Sequence, residues 1–132
     1  YADTLERRKQ IVSNYNTAFE KYPWAELPEF ISDWRESSYH LYPIRIKNCT
    51  EKQRDAIMQK MFDADIAVNV HFIPVPMFSF YTKLGYSLQH YPKAKDNYER
   101  EISLPLFYNL TDEQQQFVID NLIKAVNETL AG

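Results

Sequence analysis

Val68-Asn69-Val70-His71-Phe72-Ile73-Pro74-Val75-Pro76-Met77-Phe78-Ser79-Phe80-Tyr81 begins with the alternation of a strand and ends in a stiff aromatic run. At period two, Val68, Val70 and Phe72 share one face, and Asn69 and His71 point to the other. Pro74 and Pro76 each remove a backbone donor and fix φ, so the strand has to stop near Phe72. The chain then continues in extended form into Met77, Phe78, Phe80 and Tyr81. A titratable ring at a strand end, beside a rigid aromatic loop, can form one wall of a ligand pocket. An ordinary core edge has the same pattern, so the rest of the chain has to discriminate.

Working outward, the totals exclude several classes. A chain of 132 residues fits one domain. At that size a domain buries roughly two-thirds of its unfolded surface, enough for a core without staples. Cys49 is the single cysteine, which forbids an internal disulfide and suits a reducing, cytoplasmic compartment. The net charge is −3, and the one basic run, Arg7-Arg8-Lys9, is short and helical. Nucleic-acid binding is not expected. No apolar run approaches the roughly 20 residues that span a bilayer, and no signal peptide is visible. The two glycines, Gly85 and Gly132, cannot build a glycine-rich phosphate loop. The sequence starts at Tyr1 inside a helical pattern, so it reads as a piece of something longer.

Residues 3 to 22 carry Leu5, Val12, Tyr15, Phe19 and Tyr22 on one helical stripe. Such a helix is about 30 Å long. It suits a bridge between domains, with its stripe only partly covered, or equally a terminal helix packed on a sheet. Residues 23 to 37 read as a connecting segment with some extended structure, anchored by Trp24 and Trp34. A strand is expected over 38 to 47, with His40, Tyr42, Ile44 and Ile46 on one face. Pro43 argues for a place near a sheet edge. Thr50 and Gln53 form a capping box that opens a helix running to about Asp65, with Ile57, Met58, Met61 and Phe62 inward.

A short helix over 78 to 84 is closed by Gly85 as a left-handed cap. Pro92 fits the first turn of a polar helix over 92 to 100. A strand over 102 to 106 puts Ile102, Leu104 and Leu106 on one face. Thr111 and Gln114 form a second capping box. The last helix shows Ile119, Leu122, Ile123, Val126 and Leu130 as its stripe. The order predicts an α+β fold: a small, mostly antiparallel sheet packed with helices.

The chemistry-bearing residues are few. His71, at a strand end, could bond a ligand oxygen or move a proton; a satisfied structural histidine is the competing reading. His40 and His90 share no metal spacing with His71, so a zinc site is not expected. Glu99 and Glu101 flank Arg100 and read as a solvated face. Lys83 follows a serine-containing stretch of the kind that precedes the cofactor lysine in some pyridoxal-phosphate enzymes. A phosphate cup and a carboxylate for the pyridinium nitrogen are also needed there, and neither is near. No catalytic, cofactor-binding or metal-binding residue is assigned.

With these residues read, a family resemblance emerges. The sequence runs from Ser38-Tyr39-His40-Leu41-Tyr42-Pro43-Ile44-Arg45, through Val70-His71-Phe72-Ile73-Pro74 with Tyr81 downstream, to Ser103-Leu104-Pro105-Leu106 and Leu110-Thr111. In that order it resembles the C-terminal part of the DegT/DnrJ/StrS family. These are pyridoxal-phosphate-dependent aminotransferases acting on keto nucleotide sugars, as in polysaccharide biosynthesis. The resemblance implies a connecting helix over 1–22 and a small C-terminal domain over 23–132, as in fold-type I aminotransferases. It further implies a separate large domain carrying the cofactor lysine, a homodimer, and glutamate as amino donor. This chain is then not expected to bind the cofactor or to be active alone. His71 and Tyr81 become substrate-binding candidates. Pro76 stands where many members have a second histidine, which bears on the substrate. A non-catalytic binding or regulatory module with the same fold is the alternative.

Overall fold

The computed structural model describes residues 2–132. Its helices are α1 (Ala2–Phe19), α2 (Glu51–Asp63), α3 (Ser79–Lys83), α4 (Pro92–Arg100) and α5 (Asp112–Ala131). Its strands are β1 (Ala25–Glu26), β2 (Ile31–Ser32), β3 (Arg35–Glu36), β4 (Tyr42–Ile46) and β5 (Glu101–Leu104). One antiparallel sheet has the order β1-β4-β5, and β2 and β3 form a separate hairpin. The α+β expectation is met.

Local signals are realised where the sequence places them. Thr50 and Thr111 both close capping boxes, their hydroxyls accepting from the Gln53 and Gln114 N–H groups at 3.3 and 3.1 Å. Gly85 sits at φ 89°, in the left-handed region, and its N–H donates to the Thr82 carbonyl at 3.0 Å. Pro92 is the first residue of α4.

Tertiary contacts change other expectations. Tyr39 adopts a positive φ of 53°, and its N–H donates to Ser37 Oγ. This breaks the expected 38–47 strand, which starts only at Tyr42. His40 is therefore exposed, while Tyr42, Ile44 and Ile46 are buried as expected. Pro43 lies in the central strand rather than at an edge. It is tolerated because β1 pairs only with Arg45 and Ile46 and stops short of it. Trp34 does not anchor its segment: it is 82% exposed beside the Arg35 guanidinium. Phe62 points outward, and Arg54 takes an inward position with Ile57 and Met61.

The largest correction falls on 67–72. Among the described residues this segment makes a single bridge, Asn69 to Ser103, instead of a strand. Val68 is buried, Val70 half-buried and Phe72 75% exposed. The cause is local: the His71 N–H donates to the Glu101 carboxylate at 2.9 Å, not to a neighbouring strand. The prolines then bar any return to the ladder.

Helix α1 ends at Phe19, before Tyr22. Ile11, Val12, Tyr15 and Phe19 are buried, and Leu5 is half-buried. Most of the stripe is thus covered within this chain, by the sheet and α5. Tyr15 packs against Tyr42, ring centroids 4.7 Å apart and tilted by 38°, and donates its hydroxyl to the Pro105 carbonyl at 2.8 Å. The Tyr42 hydroxyl donates to Asn16 Oδ1 at 2.7 Å. Burial raises both phenol pKa values well above the ordinary range. Buried Gln115 ties α5 to α1, donating to the Ile11 carbonyl at 2.7 Å.

Candidate functional site

From Phe72 to Tyr91 the chain leaves the core and presents apolar side chains to solvent. Phe72, Ile73, Val75, Phe80, Leu84 and Tyr86 are among those exposed. Pro74 and Pro76 stiffen the entry, a 3-10 turn spans Val75–Met77, and α3 follows. Isolated surface hydrophobes need no explanation, but a contiguous patch marks an interaction or ligand surface.

His71 stands where this patch leaves the body of the fold. Its imidazole meets the Phe72 ring edge-on at 4.8 Å, and the His71–Phe72 peptide is cis. Among the described residues, buried His71 Nδ1 has no hydrogen-bond partner. A buried polar atom normally has one, so this nitrogen stands out as an exception.

Tyr81 lies on α3 and is 37% exposed, with its ring edge-on to Tyr86 at 6.0 Å. Tyr81, Tyr86 and Tyr91 line a hollow of about 370 Å³ with Pro74, Val75 and Pro76. His71 is not part of that lining. The structure thus puts the two candidates on one segment but not in one pocket.

Glu101 corrects the sequence reading. Glu99 does sit on a helix surface, paired with Lys95 at 2.5 Å. Glu101 is 6% exposed. Its Oε1 accepts from Ser103 Oγ at 2.5 Å, and its Oε2 accepts from the His71 N–H. Burial raises its carboxyl pKa above the usual range, opposed by these two hydrogen bonds. Arg54, 2% exposed, donates to the Tyr98 carbonyl at 2.5 Å and to the Glu101 carbonyl at 3.5 Å. The only local hint of this cluster was Ser103 two residues after Glu101, on the same strand face.

The fit to pyridoxal phosphate is poor. Lys83 is exposed at the end of five-residue α3. The tyrosine-lined hollow contains no cation or carboxylate. A cofactor cup needs a phosphate cradle and a pyridinium partner beside its lysine. We expect the isolated chain, mixed with pyridoxal phosphate and reduced with borohydride, to show no stoichiometric adduct on Lys83 by mass spectrometry. A one-to-one adduct there would overturn this reading. No group of three or more His, Cys, Asp or Glu residues is placed to hold a metal among the described residues. No helix among them is long and apolar enough to cross a membrane.

Comparison with known proteins defines the class. The profile of the DegT/DnrJ/EryC1/StrS aminotransferase family matches residues 1–123, and the chain belongs to that family. The spore coat polysaccharide biosynthesis protein SpsC of Bacillus subtilis is 32% identical over 98% of this chain and 33% of its own length. The UDP-4-amino-4,6-dideoxy-N-acetyl-beta-L-altrosamine transaminase of Campylobacter jejuni is 32% identical over 97% of this chain and 34% of its own. A putative sugar aminotransferase of Streptococcus pneumoniae, Spr1654, solved in its PMP form, superposes with a TM-score of 0.94. It is 34% identical over 99% of this chain and 33% of its own. The chain therefore spans about a third of the length of the relatives it matches.

Proposed function

We propose that this chain is the C-terminal, small domain of a cytoplasmic, pyridoxal-phosphate-dependent enzyme that moves an amino group from glutamate to a keto nucleotide sugar. Residues 1–22 connect it to a large domain that carries the cofactor lysine, and the whole enzyme is a homodimer. The exposed 72–91 face closes against that larger part. His71 and Tyr81 supply part of the substrate wall, and the reacting groups lie elsewhere. The observation that carries this reading is the near-complete overlap, at 34% identity, with a solved putative sugar aminotransferase.

The test uses the full-length enzyme, ¹⁵N-glutamate and a UDP-linked 4-keto sugar, with the product weighed. Appearance of ¹⁵N-amino sugar supports the reading. Sugar binding without transfer, by a protein lacking the cofactor lysine, would favour a regulatory module instead.

His71→Ala supplies the site-level test. The backbone N–H that meets Glu101 remains, so the fold should keep its Tm. Loss of one imidazole hydrogen bond should lower kcat/KM for the sugar by about 0.5–1.5 kcal/mol, roughly two- to tenfold. A variant that unfolds while the surviving protein keeps its sugar kinetics would make His71 structural.

A further inference from the structure

We propose that Glu101 is a positioning residue for His71, its buried carboxylate holding the His71 backbone amide and so setting where the imidazole is presented. This rests on the substrate-side reading of His71.

Three observations carry it. The first is the acceptor geometry. Both Glu101 oxygens receive donors, Ser103 Oγ at 2.5 Å and the His71 N–H at 2.9 Å. That arrangement suits a carboxylate, which only accepts. The second is that Glu101 is itself fixed. It opens β5 opposite Arg45, and its carbonyl receives the Arg54 guanidinium. Arg54 also donates to the Tyr98 carbonyl, and its guanidinium lies over the Tyr98 ring at 4.9 Å.

The third is where the contact falls in the chain. Asn69 and Ser103 exchange two backbone hydrogen bonds, at 3.3 and 2.7 Å. The His71 N–H bond to Glu101 comes next. Beyond it, the hydrogen bonds of residues 72–86 run within that stretch, as from Met77 to Pro74 and from Thr82 to Phe78. Glu101 is therefore the last hydrogen-bonded tether between the sheet and the exposed apolar segment. Burying a carboxylate for one neighbouring hydroxyl would be costly. The second donor is the backbone of a candidate substrate residue, 30 positions away in the chain.

The experiment compares Glu101→Leu, Glu101→Gln and His71→Ala in the full-length enzyme. Leucine removes both acceptors. Glutamine can still accept from the His71 N–H through Oε1 while its amide donates to the Ser103 hydroxyl. Glu101→Leu should lower kcat/KM for the keto sugar by as much as His71→Ala does and no more, roughly two- to tenfold, because it acts through the same imidazole. The kinetics with the amino donor should not change. Hydrogen exchange at the His71 amide should quicken at least roughly tenfold in the same variant. Glu101→Gln should restore both readouts to near the parent values.

Unchanged sugar kinetics in Glu101→Leu, or equal losses for sugar and donor, would overturn the proposal. So would a His71 amide that stays protected, or a glutamine variant as impaired as leucine. If Glu101→Leu does not fold, Glu101→Asp takes its place with the same expectation, its carboxylate one methylene short of the amide. If His71→Ala alone leaves sugar kinetics intact, the substrate-side reading falls. The amide exchange then still decides whether Glu101 holds His71.

Discussion

Phe19→Ala should lower the stability of this chain by about 3–5 kcal/mol, the range for emptying a large aromatic site in a core. Phe19 is fully buried at the last turn of α1. Its ring stacks on Tyr15 at 5.9 Å and meets Trp24 at 6.1 Å and Tyr42 at 6.5 Å. These neighbours cannot easily collapse into the space. Tyr15 is held through its hydroxyl by the Pro105 carbonyl, and Tyr42 by Asn16. The cavity should therefore persist, which places the loss toward the upper end. At about 4 °C per kcal/mol for a domain of this size, Tm should fall by roughly 12–20 °C. Urea unfolding with matched m-values is the measurement. Half-buried Leu5 is the control, and Leu5→Ala should lose much less. A loss below about 1 kcal/mol for Phe19→Ala would mean that the end of α1 is not part of this core.

That prediction depends on a contact the periodicity of α1 could not supply. The stripe of Val12, Tyr15 and Phe19 was legible at helical spacing, as were both capping boxes and the Gly85 cap. Each of these is decided within a few residues of chain. The partner of the stripe is set by tertiary packing, so a bridging helix and a packed one look alike in sequence. Here the packing covers Ile11, Val12, Tyr15 and Phe19 within one chain. The strands were less legible for a related reason. The alternation around Tyr39 and His40 continued into β4, but a positive φ at Tyr39 ended the strand first. The alternation of Val68, Val70 and Phe72 was equally regular, yet the His71 N–H went to a side chain.

The candidate site divides along the same line. His71 could be singled out because a titratable ring stood before two prolines, and Tyr81 followed from the family resemblance. Glu101 and Arg54 could not be singled out. A carboxylate beside Arg100 and an arginine in the first turns of a capped helix both look like surface charge. Their burial comes from strand β5 and helix α2 meeting α4, contacts of long sequence separation. A charge that is costly to bury announces itself only once its partners are in place.

Arg54 should accordingly carry a large stability effect. Its side chain is 2% exposed, with the guanidinium donating to Asp55 at 2.7 Å and to the Tyr98 and Glu101 carbonyls. The exposed Asp55 partner contributes little on its own, since surface ion pairs are worth about 0–1 kcal/mol. The carbonyls matter more. Arg54→Ala removes the charged donor from the Tyr98 and Glu101 carbonyls and opens space under Tyr98. Together these should cost about 3–5 kcal/mol, from two carbonyls left without their donor and a cavity beneath the ring. Arg54→Met tests which part dominates, because it fills the space and stays over the Tyr98 ring while making no hydrogen bond. We expect it to recover about half of the loss, leaving about 1.5–2.5 kcal/mol for the charged hydrogen bonds. Chemical denaturation of the three proteins gives the comparison. If Arg54→Met matches the parent, the guanidinium hydrogen bonds merely offset the cost of burying the charge, and packing alone holds α2 to α4.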